Sequence, residues 1–293
     1  MIETAPRPGA TVAARHPLVL FYGLALILSA GVLALLMLVD LAEEGFVLGT
    51  FGPGLAAVIT VGVLHGRSQA WRFVKRSMRW RFGVGWWAIA ILMPLVVTVL
   101  ALVMASTTGG PSLGSELWSG VAAAIPLLLM LTLLNGIPEE LGWRAFMLPV
   151  VQRDHSAFVA SLIVGFWWGV WHTPLFFVEG TFQATLGDEL GAWLGIGFWT
   201  LATMVFSIGF TWVFNGVGGG VLAAAVLHGA TNTWISWGLV DATPTQSLAM
   251  FAWFVGLWLV LAAALLVVYG PRTLTRRGER VVTYLDPSTP AHV

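Results

Sequence analysis

The stretch PLVLFYGLALILSAGVLALLMLV, residues 17–39, decides the class of fold. It carries no charged side chain and is longer than the ~20 residues a helix needs to cross bilayer hydrocarbon. Asp40 closes it, with no small-residue cleavage site. It also outlasts the roughly 7–15 apolar residues of a signal-peptide core, so no cleavable leader is expected. Similar runs recur at about 46–64, 83–105, 119–146, 156–178, 192–214, 217–240 and 248–269, which makes about eight spans with the first. The expected fold is all-α: a polytopic membrane helix bundle over 17–269. A cytoplasmic tail, 1–16, is expected before it and a basic cytoplasmic tail, 270–293, after it. Composition agrees. Of 293 residues, 58% are apolar and only 10% are charged, where a soluble domain carries about 25% charged residues. So few charges cannot cover a water-facing surface. A soluble enzyme, a disordered tail and a basic nucleic-acid binder are excluded, and the first partner is the lipid bilayer. With no cysteine, thiol catalysis, disulfides and Fe–S clusters are excluded too.

The charges then orient the bundle. There are 14 basic and 14 acidic residues, so the net charge is zero, yet they segregate. With the N-terminus in the cytoplasm, Arg7 and Arg15 are inside, as are Arg67, Arg72, Lys75, Arg76, Arg79 and Arg81 of the 65–82 loop. Arg144 and Arg153 fall at or near the inner end of the fourth span, and Arg272, Arg276, Arg277 and Arg280 lie in the C-terminal tail. The outer loops hold Asp40, Glu43, Glu44, Glu116, Glu179, Asp188, Glu189 and Asp241. This asymmetry puts both termini in the cytoplasm. Trp71, Phe73 and Trp80 interleave with the basic residues of the 65–82 loop, which suits a helix lying on anionic lipid. Glycine pairs at four-residue spacing, Gly165/Gly169 among them, indicate close helix packing.

A charge at mid-bilayer costs at least a few kcal/mol, so intramembrane ionisable residues mark function. Three spans carry them. The fourth holds Pro138-Glu139-Glu140-Leu141-Gly142-Trp143-Arg144, the fifth Trp168-Gly169-Val170-Trp171-His172, and the seventh His228-Gly229-Ala230-Thr231-Asn232. Glu140 and Arg144 are i,i+4 and share a face, as do His228 and Asn232. Glu139 lies about 100° round the helix from Glu140. Pro138 has no N–H to donate, so it removes a backbone hydrogen bond to the carbonyl of Leu134, and irregular backbone is tolerated in a membrane where it lines a wet cavity. Two carboxylates, two imidazoles and an amide can activate water and stabilise an oxyanion. The same set could instead hold one Zn²⁺ through Glu139, His172 and His228. Each group could also serve only as helix–helix glue. A depth ruler of 1.5 Å per residue puts Glu139 and His228 level, with His172 roughly 10 Å deeper; a fifth helix that starts in the cytosol or tilts would remove the mismatch.

In order and spacing, these motifs resemble those of the CPBP family of intramembrane proteases (CAAX proteases and bacteriocin-processing enzymes, or Abi family), which includes the type II CAAX prenyl endopeptidase. The family signature is E-E-x-x-x-R, F-x-x-x-H and H-x-x-x-N on three helices. This chain supplies Glu139-Glu140…Arg144, Trp168…His172 and His228…Asn232, with Trp168 in place of the usual Phe. The resemblance implies a catalytic core at about 119–240 and a site open to the cytosolic side. It implies hydrolysis of a peptide bond in a membrane-associated protein or peptide. By carry-over, Glu139 and His172 activate water, His228 and Asn232 stabilise the oxyanion, and Glu140, Arg144 and Trp168 support them. It leaves open a metal-free glutamate mechanism or a zinc one. It also implies a multi-pass protein of a bacterial plasma membrane. No H-E-x-x-H zinc motif is present, which separates the chain from site-2 type metalloproteases. A proton-coupled transporter or a non-catalytic partner of the same family are the competing readings.

Overall fold

The computed structural model describes residues 16–111 and 120–276. The expected tails, with Arg7, Arg15, Arg277 and Arg280, lie almost wholly outside the described residues, as does Glu116. Among the described residues every regular element is helical. Helix α1 is Pro17–Leu38. A 3-10 turn, Phe46–Thr50, leads into α2, Phe51–His65. Helix α3 is Arg67–Ser77 and α4 is Val84–Ser106. Helix α5 starts as Val121–Leu131 and runs on without interruption through Leu148–Val151. Then come α6, Ala157–Trp171, the short α7, Phe182–Leu190, and the long α8, Ala192–Gly216. Helices α9, Val221–Gly238, and α10, Pro244–Tyr269, complete the bundle.

Among the described residues, seven helices are long and apolar enough to cross a membrane. The remaining expected span, 217–240, is α9, which is too rich in Thr, His, Asn and Gly to qualify by composition. Its environment explains how it tolerates this. Thirteen of its side chains or glycines, from Val221 to Gly238, are buried, and it packs against α4, α5 and α8. A helix enclosed by protein needs no lipid-facing apolar surface.

The long helices alternate in direction, so their ends gather into two sets. One end holds α3, the α8–α9 turn and residues 270–276. There the Arg79 guanidinium donates to the Gly218 carbonyl at 3.4 Å, and the first amides of α6 donate to the carbonyls of Pro271 and Arg272, at 3.0 Å each. Asn215 and Gln152 exchange amide hydrogen bonds beside them. This is the basic end. Its helix α3 is amphipathic as expected, burying Ala70 and Phe73 and exposing Arg67, Arg72 and Lys75. Lys75 stands 5.3 Å from the ring centroid of exposed Trp71. The opposite, acidic end holds α7, which carries Asp188 and Glu189, and the loops bearing Asp40, Glu179 and Asp241. There Thr245 donates to Glu189, and Trp253 to Thr108.

Helix α5 is the irregular one. Thr132–Gly136 and Leu141–Met147 are π-helical, and the α-turn Ile137–Glu140 lies between them. The wider turns follow from sequence. Pro138 cannot donate to the Leu134 carbonyl; Thr50 of the 3-10 turn donates its hydroxyl there instead, at 2.5 Å. π-Bulges inside α-helices are frequent at functional sites. Two close approaches set the crossing of α5 and α9. A methyl group in place of the Gly136 hydrogen would run into the Ala225 backbone oxygen, and one at Gly229 would run into Thr132. Gly165 and Gly169 do the same for α6 against α8.

The α5–α9 crossing therefore rests on hydrogen-sized side chains. Gly229→Val should lower stability by about 1–3 kcal/mol or more through overpacking. Thermal unfolding of detergent-solubilised protein is the measurement. An unchanged melting temperature would show that the helices can separate without loss.

Candidate active site

The site is built from α5, α6 and α9. On α5, the π-helical turn that follows carries Arg144 back over Glu140. The Arg144 Nε lies 3.3 Å from Glu140 Oε2, and both side chains are fully buried. The guanidinium sits 4.9 Å from the ring centroids of both Trp168 and Phe210, and Ser207 lies 3.3 Å from one of its terminal nitrogens. Arg144 was expected at or near the inner end, as one of the charges that orient the bundle. It is instead a core residue, and its charge is answered by Glu140 and by aromatic faces.

Glu140 has a second partner. Its Oε1 accepts from His228 Nδ1 at 2.8 Å. The carboxylate thus bridges arginine and histidine, and it fixes the imidazole with Nε2 turned toward Glu139 Oε1, 4.0 Å away. Glu139 Oε2 accepts from the Trp168 indole N–H at 2.8 Å. The substitution of Trp for the family Phe is therefore more than a packing change, since a Phe has no donor. The i,i+4 spacing of Trp168 and His172 was a signal for this, because it sets both on the face that meets Glu139.

His172 stands at the C-terminal cap of α6. The last turn tightens, so the His172 amide bonds Gly169 rather than Trp168. The freed Trp168 carbonyl accepts from His172 Nδ1 at 2.8 Å, which leaves Nε2 with its lone pair. His172 lies one turn beyond Trp168, the residue that donates to Glu139. Even so, Glu139, His172, His228 and Asn232 all line one cavity of about 390 Å³. Four of the wall residues that the sequence reading did not single out are Ser29, Thr50, Asn135 and Trp199. Asn135 is one helical turn before Glu139, and its buried side-chain oxygen has no hydrogen-bond partner. Only the wide turn at Thr132–Gly136 made it findable, and periodicity does not reveal that turn.

The sequence left a zinc site open, with Glu139, His172 and His228 as its candidate ligands. Among the described residues, no three His, Asp or Glu side chains come close enough together to share a metal ion. Glu139, His172 and His228 share a cavity without converging on one point. His228 Nδ1 is hydrogen-bonded to Glu140 Oε1 at 2.8 Å, and His228 Nε2 stands 4.0 Å from Glu139 Oε1.

The fold and site define a class: a polytopic helical membrane protein with a buried carboxylate–histidine centre in an apolar cavity. The comparisons agree with the resemblance read from the motifs. Residues 121–234 match the family described as Type II CAAX prenyl endopeptidase Rce1-like, and that segment holds every candidate residue from Glu139 to Asn232. Over 143 residues the chain is 29% identical to CAAX prenyl protease 2 of Methanococcus maripaludis, covering 48% of this chain and 51% of the relative. The chain thus spans about half the length of the curated relative it matches.

The wall runs across the middle of α8, from Trp199 to Phe210, and takes in the segment from Gly180 to Gln183 that precedes that helix.

The Trp168–Glu139 hydrogen bond gives a sharp test. Trp168→Phe keeps an aromatic ring but leaves a buried carboxylate oxygen without its donor. It should lower stability by about 1–3 kcal/mol, read as a fall in melting temperature in detergent. A Phe variant as stable as the parent would mean that the indole N–H is replaceable by water.

Proposed function

We propose that this protein is an intramembrane endopeptidase that hydrolyses a peptide bond in a membrane-associated protein or peptide. One observation carries the reading. A 2% exposed carboxylate, Glu139, lines a cavity together with His172, His228 and Asn232, while the neighbouring carboxylate, Glu140, is already committed to Arg144 and His228. Two adjacent glutamates thus take different roles, one structural and one facing the reactants. The similarity to the CAAX prenyl endopeptidase family supports the same reaction class.

In this mechanism Glu139 takes a proton from a water held between its carboxylate and His172 Nε2. The water oxygen adds to the carbonyl carbon of the scissile bond. The negative charge that develops on the carbonyl oxygen is met by His228 Nε2–H, in the imidazolium form, and by the Asn232 amide. Glu140 holds His228 through Nδ1, so it acts by positioning. Collapse of the tetrahedral species breaks the C–N bond, and Glu139 returns its proton to the leaving amine. No step is routed through a metal, because the ligand set does not converge. Arg144 orients Glu140, and Trp168 orients Glu139.

The substrate class extends from a prenylated CAAX protein to a leader-bearing peptide. The membrane is proposed to be a bacterial plasma membrane, which the chain crosses several times. A transporter needs a path to both faces. Here the space between Glu139 and the basic end is filled by Trp143, Arg144, Phe146, Phe214 and Leu227, each at most 1% exposed, which favours a single closed-ended site.

Purified protein should cleave a membrane-associated peptide. Glu139→Gln and His172→Ala should each cut the rate by about 10²–10⁴-fold without lowering the melting temperature below that of a folded control. Asn232→Ala should cost about 10²–10³-fold. Full activity in the Glu139 and His172 variants would remove the assignment and favour a binding role. A chelator should leave cleavage unchanged. Activity lost together with stoichiometric zinc would show that the side chains rearrange around a metal.

A further inference from the structure

Helix α7 lies between α6 and α8, and its first turn belongs to the wall of the active-site cavity through Gly180, Thr181, Phe182 and Gln183. Thr181 starts the helix. Its backbone is extended, and its hydroxyl accepts from the Ala184 N–H at 3.1 Å. The same hydroxyl donates to the carbonyls of Leu175 and Val178, at 2.7 and 2.8 Å, which ties the turn to the end of α6. The first four amides of an α-helix have no partner inside it. Here that of Thr181 donates to the Val178 carbonyl at 3.4 Å, and that of Ala184 is met by the cap. The N–H groups of Phe182 and Gln183 have no acceptor among the described residues.

Gln183 adds a second, independent observation. It is only 8% exposed, its side chain is part of the cavity wall, and its amide has no hydrogen-bond partner among the described residues. A buried amide left without partners is costly, and an occupant of the cavity removes that cost. The side chain offers two N–H donors. Together with two free backbone N–H groups and the positive end of a nine-residue helix, it suits an oxygen that carries full or partial negative charge. Among the described residues, the one carboxylate in the wall is Glu139 and no lysine or arginine belongs to it, so no fixed charge beside α7 competes for these donors. The turn is also close to the chemistry. The Phe182 ring centroid is 6.2 Å from that of Trp199, which is 5.2 Å from that of His172. Extended chain covers roughly 3.3 Å per residue, so a few residues span the distance.

We infer that the first turn of α7 is a substrate-binding subsite, in which the Gln183 side-chain amide and the N–H groups of Phe182 and Gln183 hold a carbonyl or carboxylate oxygen of the bound polypeptide, a few residues from the scissile bond. A backbone carbonyl of an extended segment and the terminal carboxylate of a short one present the same oxygen chemistry. A helical segment does not, because its carbonyls are already bonded within the helix. The subsite therefore reads the polypeptide in extended form. The neighbouring wall residues Leu175, Trp199, Phe206 and Phe251 are apolar, so they receive side chains while α7 receives the backbone or its end. The inference rests on the endopeptidase reading in taking the occupant to be a substrate, but binding at α7 does not require turnover.

Two forms of one fluorescent, lipidated CAAX peptide test it, one with a free C-terminal carboxylate and one amidated. Binding to the full chain in detergent is read by fluorescence anisotropy in the Glu139→Gln background, and KM and kcat are read in the active protein. Gln183→Leu removes the side-chain donors and suits a buried position; Gln183→Met serves if the leucine variant melts early. Either variant should raise Kd and KM by about 2–10-fold where a carbonyl oxygen is held, and by about 10–100-fold where a carboxylate is. The kcat should stay within about two-fold, and the melting temperature should not change. The loss is confined to the carboxylate peptide if a terminal carboxylate is held, and is shared by both peptides if a backbone carbonyl is. Unchanged Kd and KM for both peptides overturn the inference. So does a fall in kcat or melting temperature with KM unchanged, which a merely structural glutamine would give. A parent protein that binds neither peptide overturns it too. Binding that is weakened by Gln183→Leu, with no cleavage by the parent, keeps the subsite and counts against the endopeptidase reading alone.

Discussion

The structure depends on a fully buried carboxylate that is shared by an arginine and a histidine. Glu140 meets Arg144 at 3.3 Å and His228 at 2.8 Å, and these links join α5 to α9. A carboxylate or guanidinium alone in this setting would be strongly destabilising, and removing one partner of a buried pair typically costs about 3–5 kcal/mol. The group is tolerated because each charge is answered within the bundle. The bridging arrangement also forces geometry on its neighbours. With His228 held through Nδ1, only Nε2 is left to face Glu139. With Arg144 packed against the rings of both Trp168 and Phe210, the Trp168 indole is held where its N–H reaches Glu139. The paired glutamate thereby leaves the other one to face the cavity.

Helix α5 can present both glutamates only because it is not a regular α-helix. Two π-helical segments flank the Pro138 turn, and the carbonyl orphaned by Pro138 is satisfied from outside the helix by Thr50. Burial of α9 on nearly every side has the same logic. A helix that carries histidine, asparagine and several threonines avoids lipid by letting its neighbours enclose it. Glycines at the α5–α9 crossing bring the two polar helices close enough for Glu140 to reach His228.

Much of this was legible in the sequence. The spans expected at 17–39, 83–105 and 156–178 are found at Pro17–Leu38, Val84–Ser106 and Ala157–Phe177, because bilayer thickness selects apolar length. The three polar motifs stood out because hydrocarbon makes every ionisable side chain an exception that needs a reason. The i,i+4 spacing of Glu140 and Arg144 correctly foretold their pairing. The division of labour between the glutamates was less visible. Spacing joined Glu140 to Arg144 but could not show His228 as the third member, since it lies 88 positions away. Trp168 looked like a conservative aromatic, and its hydrogen bond is a property of where α6 meets α5. Arg144 was read as an orienting charge because a sequence window cannot distinguish a span end from a widened turn within it.

By itself, the sequence determined the membrane class, the helical architecture, the basic and acidic ends, and the short list of side chains able to do chemistry. These follow from local quantities: apolar length, charge sign and residue type. The tertiary structure decided which glutamate faces the cavity, which nitrogen of each histidine is engaged, and which residues of separate helices share the cavity wall. Those outcomes depend on how close separate helices approach and at what height they meet. Close approach is governed by side-chain volumes on both partners at once, which no single stretch of sequence contains.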